Sequence, residues 1–110
     1  MIRETISKIE AKLKDTHALN DQTRRELGDL LGTLKSEITE LSKTDAPTAQ
    51  RIAGLTESSA HEAIREGGNP EELKMSLEKL LGSVDGFEKS HPTLVEIVNR
   101  IATTLSSLGI

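Results

Sequence analysis

Residues 27–41 read LGDLLGTLKSEITEL, and they place Leu27, Leu31, Leu34, Ile38 and Leu41 at alternating steps of four and three. This spacing keeps all five side chains on one stripe of an α-helix and leaves Lys35, Ser36, Glu37 and Glu40 on the others. Continuing the same count gives Asp45, Thr48, Ile52 and Leu55, so the stripe resumes in phase beyond Pro47. An open loop has no reason to preserve phase. The pattern therefore predicts one arm over residues 21–66, kinked or broken for almost no length near Pro47. A straight arm of that length would be on the order of 65–70 Å long at 1.5 Å per residue.

Outward from this arm the chain supplies its own punctuation. Gly67 and Gly68 suit a helix terminus and a reversal, since glycine tolerates positive φ. Asn69 followed by Pro70, Glu71 and Glu72 is a helix start, with an N-cap, a proline in the first turn and carboxylates at the positive end of the dipole. The turn thus covers 67–69, and a return arm over 70–108 carries Leu73, Leu77, Leu80, Val84, Phe87, His91, Leu94, Val98, Ile101, Leu105 and Leu108 in one phase, with a kink or break near Pro92. Folding at Gly67-Gly68 pairs positions whose numbers sum to about 135 or 136. Leu55 then meets Leu80, Ile52 meets Val84, Leu41 meets Leu94, Ile38 meets Val98 and Leu34 meets Ile101. Upstream, Ile2, Ile6, Ile9 and Leu13 define a shorter helix over 2–16, which a short connection sets antiparallel to the arm. The expected fold is all-α, one domain over 1–110: a long antiparallel, coiled-coil-like helical hairpin with the N-terminal helix packed near the chain termini.

Composition agrees with packed helices. The 110 residues contain one Phe and no Trp, Tyr or Cys, and 35% are apolar against 29% charged. A core of Leu, Ile, Val and Ala at helical spacing points away from sandwiches and barrels. A net charge of −4 disfavours nonspecific attraction to nucleic acid. Absence of cysteine removes thiolate nucleophiles, thiolate metal sites and disulfides, and fits a reducing compartment. The charged start, Arg3, Glu4, Lys8 and Glu10, contains no apolar run for a leader, and no stretch is long enough for a membrane span. A cytoplasmic protein is expected. A two-helix arm buries too little surface alone, so self-association, with a dimer favoured, is expected as well.

Candidate chemistry is sparse. His61-Glu62 opens like the zinc-protease pattern HExxH, but Arg65 stands where the second histidine belongs. Ser58 and Ser59 lie near His61 without an orienting third group or oxyanion donors. The segment Gly67-Gly68-Asn69-Pro70 precedes a helix N-terminus but lacks a P-loop lysine, and Glu71 and Glu72 would repel an anion. No catalytic residue, cofactor site or metal site is expected. Arg24-Arg25 is the only adjacent basic pair, flanked by Glu26 and Asp29, which are close enough to offset it. Gly28 with Gly32, and Gly82 with Gly86, recur at four-residue spacing and suggest close helix approach or a bend. Asp45 and His91 both fall on the core stripe, each beside a proline, and the fold operation sets them opposite one another. They are expected to form a structural polar pair that fixes the register of the hairpin, unless local unwinding and N-capping claim Asp45 first.

Ile2-Arg3-Glu4-Thr5-Ile6, Ser58-Ser59-Ala60-His61-Glu62-Ala63, Ser90-His91-Pro92-Thr93-Leu94-Val95-Glu96 and the ending Leu105-Ser106-Ser107-Leu108-Gly109-Ile110 together resemble a small bacterial family of uncharacterised proteins. The resemblance implies a short helical domain of unknown function and carries over no activity, cofactor or catalytic residue. The expected function is a non-enzymatic interaction, scaffolding or regulatory module for an unknown protein partner. The alternative is a nucleoid-associated or DNA-segregation accessory that uses Arg24 and Arg25.

Overall fold

The computed structural model describes residues 2–15, 19–64 and 69–108, and these form five helices and no strand: α1 (Ile2–Asp15), α2 (Asp21–Ser42), α3 (Ala46–Ile64), α4 (Pro70–Gly82) and α5 (Pro92–Leu108). The all-α class is as the periodicity implies. Asn20 caps α2 by accepting a 2.8 Å hydrogen bond from the Thr23 N–H, and Asn69 caps α4 by accepting one of 2.8 Å from the Glu71 N–H. Pro70 occupies the first turn of α4, where an N–H has no intrahelical acceptor to lose. Gly67 and Gly68, expected to make the turn, lie outside the described residues.

Both internal prolines also begin helices. Backbone N–H groups of Thr44 and Asp45 bond the Leu41 carbonyl and close α2. The Asp45 carboxylate then accepts from the Thr48 N–H at 3.2 Å and from the Thr48 hydroxyl at 2.7 Å, which caps α3. Pro47 is thus the second residue of α3 and not a kink inside one arm. The expected arm over 21–66 is therefore two helices. By rise alone α2 and α3 are about 33 and 28 Å long, whereas the molecule's longest dimension is 38 Å. They cannot lie end to end, and they pack side by side. The return arm is divided likewise. Residues 83–91 form turns, with Gly86 at φ 92°, and Pro92 opens α5.

At the level of whole helices, two of the expected contacts are present. α2 packs on α5 and α3 on α4, as the fold operation requires, but α2 also packs on α3, α4 on α5 and α3 on α5. The hairpin is folded double. α1 lies across α2 and α3, with Ile6, Ile9 and Leu13 buried, and a 2.8 Å ion pair joins Lys35 to Glu10. α3 touches all four other helices, and its buried face is correspondingly small: Ala49, Ala53, Thr56, Ser59 and Ala60 around Ile52. Short side chains let helix axes approach from several sides at once. The Thr56 hydroxyl donates to the Ile52 carbonyl at 2.8 Å, while the Ser59 hydroxyl is buried with no hydrogen-bond partner.

Doubling the hairpin covers the apolar stripe with the chain's own helices. Among the described residues Met75 is the large hydrophobic side chain left exposed, at 57%. The narrow bare stripe that motivated a second copy is therefore not present on this surface. No helix among the described residues is long and apolar enough to cross a membrane.

Of the two causes that the glycine spacing suggests, close helix approach and a bend, the structure has only the bend, and that at Gly86. A Cβ added at Gly28, Gly32 or Gly82 meets nothing within 4 Å, so these positions mark no close helix approach. Gly86 alone has a backbone reason, its positive φ. Gly32→Ala should accordingly raise stability by about 0.5–1 kcal/mol through the lower conformational freedom of the unfolded chain. Leu34 and Leu80 are fully buried and His61 is exposed. Denaturant melts should show Leu34→Ala and Leu80→Ala each losing about 2–5 kcal/mol, and His61→Ala changing stability by less than about 0.5 kcal/mol.

Candidate interaction surface

The residues singled out by sequence are not brought together as a site. Asp45 is half-buried and both its oxygens serve Thr48. His91 is half-buried, its ring tilted at 56° against Phe87 with centroids 5.8 Å apart, and its backbone N–H donates to the Phe87 carbonyl at 2.8 Å. Among the described residues no hydrogen bond or ion pair joins Asp45 to His91. The expected polar pair gives way to two separate helix starts, because a capping carboxylate is satisfied within its own first turn and needs no partner across the bundle. His61 stands at the edge of a groove with Glu57, Glu62 and Glu72, and among the described residues no three such side chains are placed to hold a metal ion. The Ser58 hydroxyl is turned back to the Gly54 carbonyl at 3.1 Å.

Arg24 has a structural task. Its guanidinium donates to the Leu13 carbonyl at 3.1 Å and the Leu19 carbonyl at 3.3 Å, and it pairs with Asp21 at 3.2 Å. It thereby satisfies a carbonyl in the last turn of α1 and ties that end to the start of α2. Arg25 is exposed beside it. Glu26 and Asp29, which by sequence alone look like the counterions of this basic pair, form no ion pair with it among the described residues; Asp29 borders both the groove of Arg24 and Arg25 and, with Glu26, a groove toward α5.

There they line a groove of about 890 Å³ between α2 and α5. Glu26, Asp29, Leu30 and Thr33 recur at steps of three, one and three along α2, which keeps them on one edge of the helix. The opposite wall is α5, from Pro92 through Val95, Glu96 and Arg100 to Thr104, and Glu88 stands at one end. The local sequence fixes Glu88 in place, since its carboxylate accepts from the Gly86 N–H at 2.9 Å across the positive-φ turn. Leu30 and Ile97 show only their edges, Val95 is half-buried and Pro92 exposed, so the floor is apolar but narrow. The hydroxyls of Thr33, Thr103 and Thr104 bond carbonyls of their own helices.

Charge distinguishes this groove. It gathers four carboxylates and one guanidinium, in a chain whose whole net charge is −4. The guanidinium of Arg100 is spent on Glu96 at 3.1 Å, while among the described residues neither Glu26 nor Asp29 has an ion-pair partner. These two are three residues apart, about 4.5 Å of rise, inside a Debye length of about 8 Å at physiological salt. Their fields therefore add at the groove mouth. The signal was present in the sequence as acidic residues on the solvent edge of the α2 stripe. Recognising it required knowing that Arg24 turns toward α1.

A compact bundle of short helices with open grooves between them is the class that the fold defines. A family model described as a domain of unknown function, DUF4404, matches residues 27–110, and the chain belongs to that family. No curated protein and no solved structure matches it.

Because the Asp45 carboxylate serves Thr48 and the His91 ring packs on Phe87, their energetic coupling should be close to zero. Asp45→Ala is expected to cost about 1 kcal/mol as a lost N-cap. A double-mutant cycle with His91→Ala, read by denaturant melts, should give an interaction energy within about 0.3–0.5 kcal/mol of zero.

Proposed function

We propose that this chain is a non-enzymatic interaction module that presents its bundle surface to a protein partner in a scaffolding or regulatory role. The observation that supports the reading most is the α2–α5 groove: an open trough walled by two rigid helices, with a narrow apolar floor and a strongly one-signed rim. Such troughs suit an elongated protein segment, whereas small-molecule sites are enclosed and mostly apolar. The His61 groove and the buried Ser59 hydroxyl add no nucleophile oriented by a base.

Self-association is not required to cover the core, since the chain's own helices cover it. The rival nucleic-acid reading rests on Arg24 and Arg25, and Arg24 is held in the α1–α2 connection. The electrostatic term that dominates such binding scales with the number of phosphates neutralised, and one exposed arginine beside an acidic groove supplies little of it.

The test is affinity capture from native extract of the source organism, with the purified chain as bait, followed by reconstitution of any captured protein with the pure chain. A direct, stoichiometric complex is the expected result. A chain that captures nothing, or that instead binds duplex DNA with an affinity falling steeply between low and moderate salt, would refute the reading.

A further inference from the structure

We propose that the α2–α5 groove receives a cationic, amphipathic helical segment of a partner protein. This deepens the interaction reading and rests on it. The argument is one of charge and shape. Glu26 and Asp29 on one wall and Glu88 and Glu96 on the other leave a trough with a large excess of negative charge. Glu26 has no ion-pair partner among the described residues, and Asp29, which also borders the neighbouring groove of Lys14, Arg24 and Arg25, makes no ion pair with them. Lysines or arginines along both edges of a bound segment would offset that excess, and the apolar strip of Val95, Pro92 and the edges of Leu30 and Ile97 would take the segment's apolar face. A helix carries these two chemistries on opposite sides of one element, with apolar residues every three or four positions. The same field repels duplex nucleic acid and anionic lipid, so neither fits this groove as occupant.

The remaining concavities carry no comparable argument. The α4–α5 groove over Leu73, Leu77 and Leu81 has a rim of mixed charge from Lys74 and Glu78. The small groove at Lys14 and Arg25 has its third cation, Arg24, committed to backbone carbonyls.

The probe is a synthetic amphipathic peptide of leucine and lysine, with a leucine–glutamate peptide of the same pattern as its counterpart. Each is titrated into the isotopically labelled full chain and followed by amide chemical shifts. The lysine peptide should bind, with shifts concentrated on residues 26–33 and 92–104, and the glutamate peptide should not. Glu26→Gln with Asp29→Asn should weaken binding by about three- to tenfold, and circular dichroism confirms that the fold is kept. Glu78→Gln with Asp85→Asn changes the net charge equally at exposed positions outside the groove and should change binding by less than about twofold. Equal losses in the two double variants, shifts centred elsewhere, or indifference to peptide charge would overturn the proposal. A natural partner that binds the Glu26→Gln, Asp29→Asn variant as tightly as the unaltered chain would overturn it as well, while leaving the interaction reading intact.

Discussion

Asp45 closes one helix and opens the next. Its N–H bonds the Leu41 carbonyl at 2.8 Å, and its carboxylate takes two donors from Thr48, one residue beyond Pro47. An N-cap residue holds extended or bridge-region backbone, so the chain leaves the α2 axis at this point and re-enters a helix on a new one. Proline reinforces the choice: in the middle of a continuous helix it would remove a hydrogen bond and clash with the preceding turn, whereas in the first turn of α3 it costs nothing. The position of α3 against α2, and through it the burial of the whole apolar stripe, follows from this one local preference.

Once α3 folds back, it becomes the helix every other helix must touch. Its composition meets that demand with Ala49, Ala53, Thr56, Ser59 and Ala60 where α2 and α5 use leucine and isoleucine. The large side chains of the surrounding helices fill the space that these residues leave. The buried Ser59 hydroxyl has no hydrogen-bond partner in this packing; such a group costs on the order of 1–3 kcal/mol when water is excluded. Nothing in the surrounding structure explains its retention.

Periodicity made the helices, their buried faces and the α2–α5 and α3–α4 pairings legible, because all of these depend on which side of a helix is apolar. It did not reveal that the hairpin folds double. Leu41, Asp45, Thr48 and Ile52 stay in phase whether the chain runs straight on or reverses, since both halves face the same core. Phase reports orientation about a helix axis and says nothing about the angle between successive axes. The polar pair was misplaced for the same reason: numbers that sum to 136 place Asp45 and His91 at one level of a straight hairpin, yet each is first claimed by its own helix start. Nor were the groove carboxylates visible as a group. Glu26 and Asp29 sit beside Arg24 and Arg25 in sequence, and the sequence does not show that the Arg24 guanidinium is turned to the Leu13 carbonyl while the two carboxylates line the α2–α5 groove.

The family match begins at Leu27, inside α2, which leaves α1 and the first turn of α2 outside it. α1 nevertheless seals one side of the bundle, its Ile6, Ile9 and Leu13 lying against α2 and α3. α1 thus covers one side of residues 27–110, fastened by Arg24 at one end and by the Lys35–Glu10 pair along its length. Cut away from α1, residues 27–110 would display a bare aliphatic strip flanked by charge. In handling, that fragment would behave as an adhesive: prone to cling to copies of itself, to chaperones and to surfaces, and misleading as bait wherever the intact protein is selective.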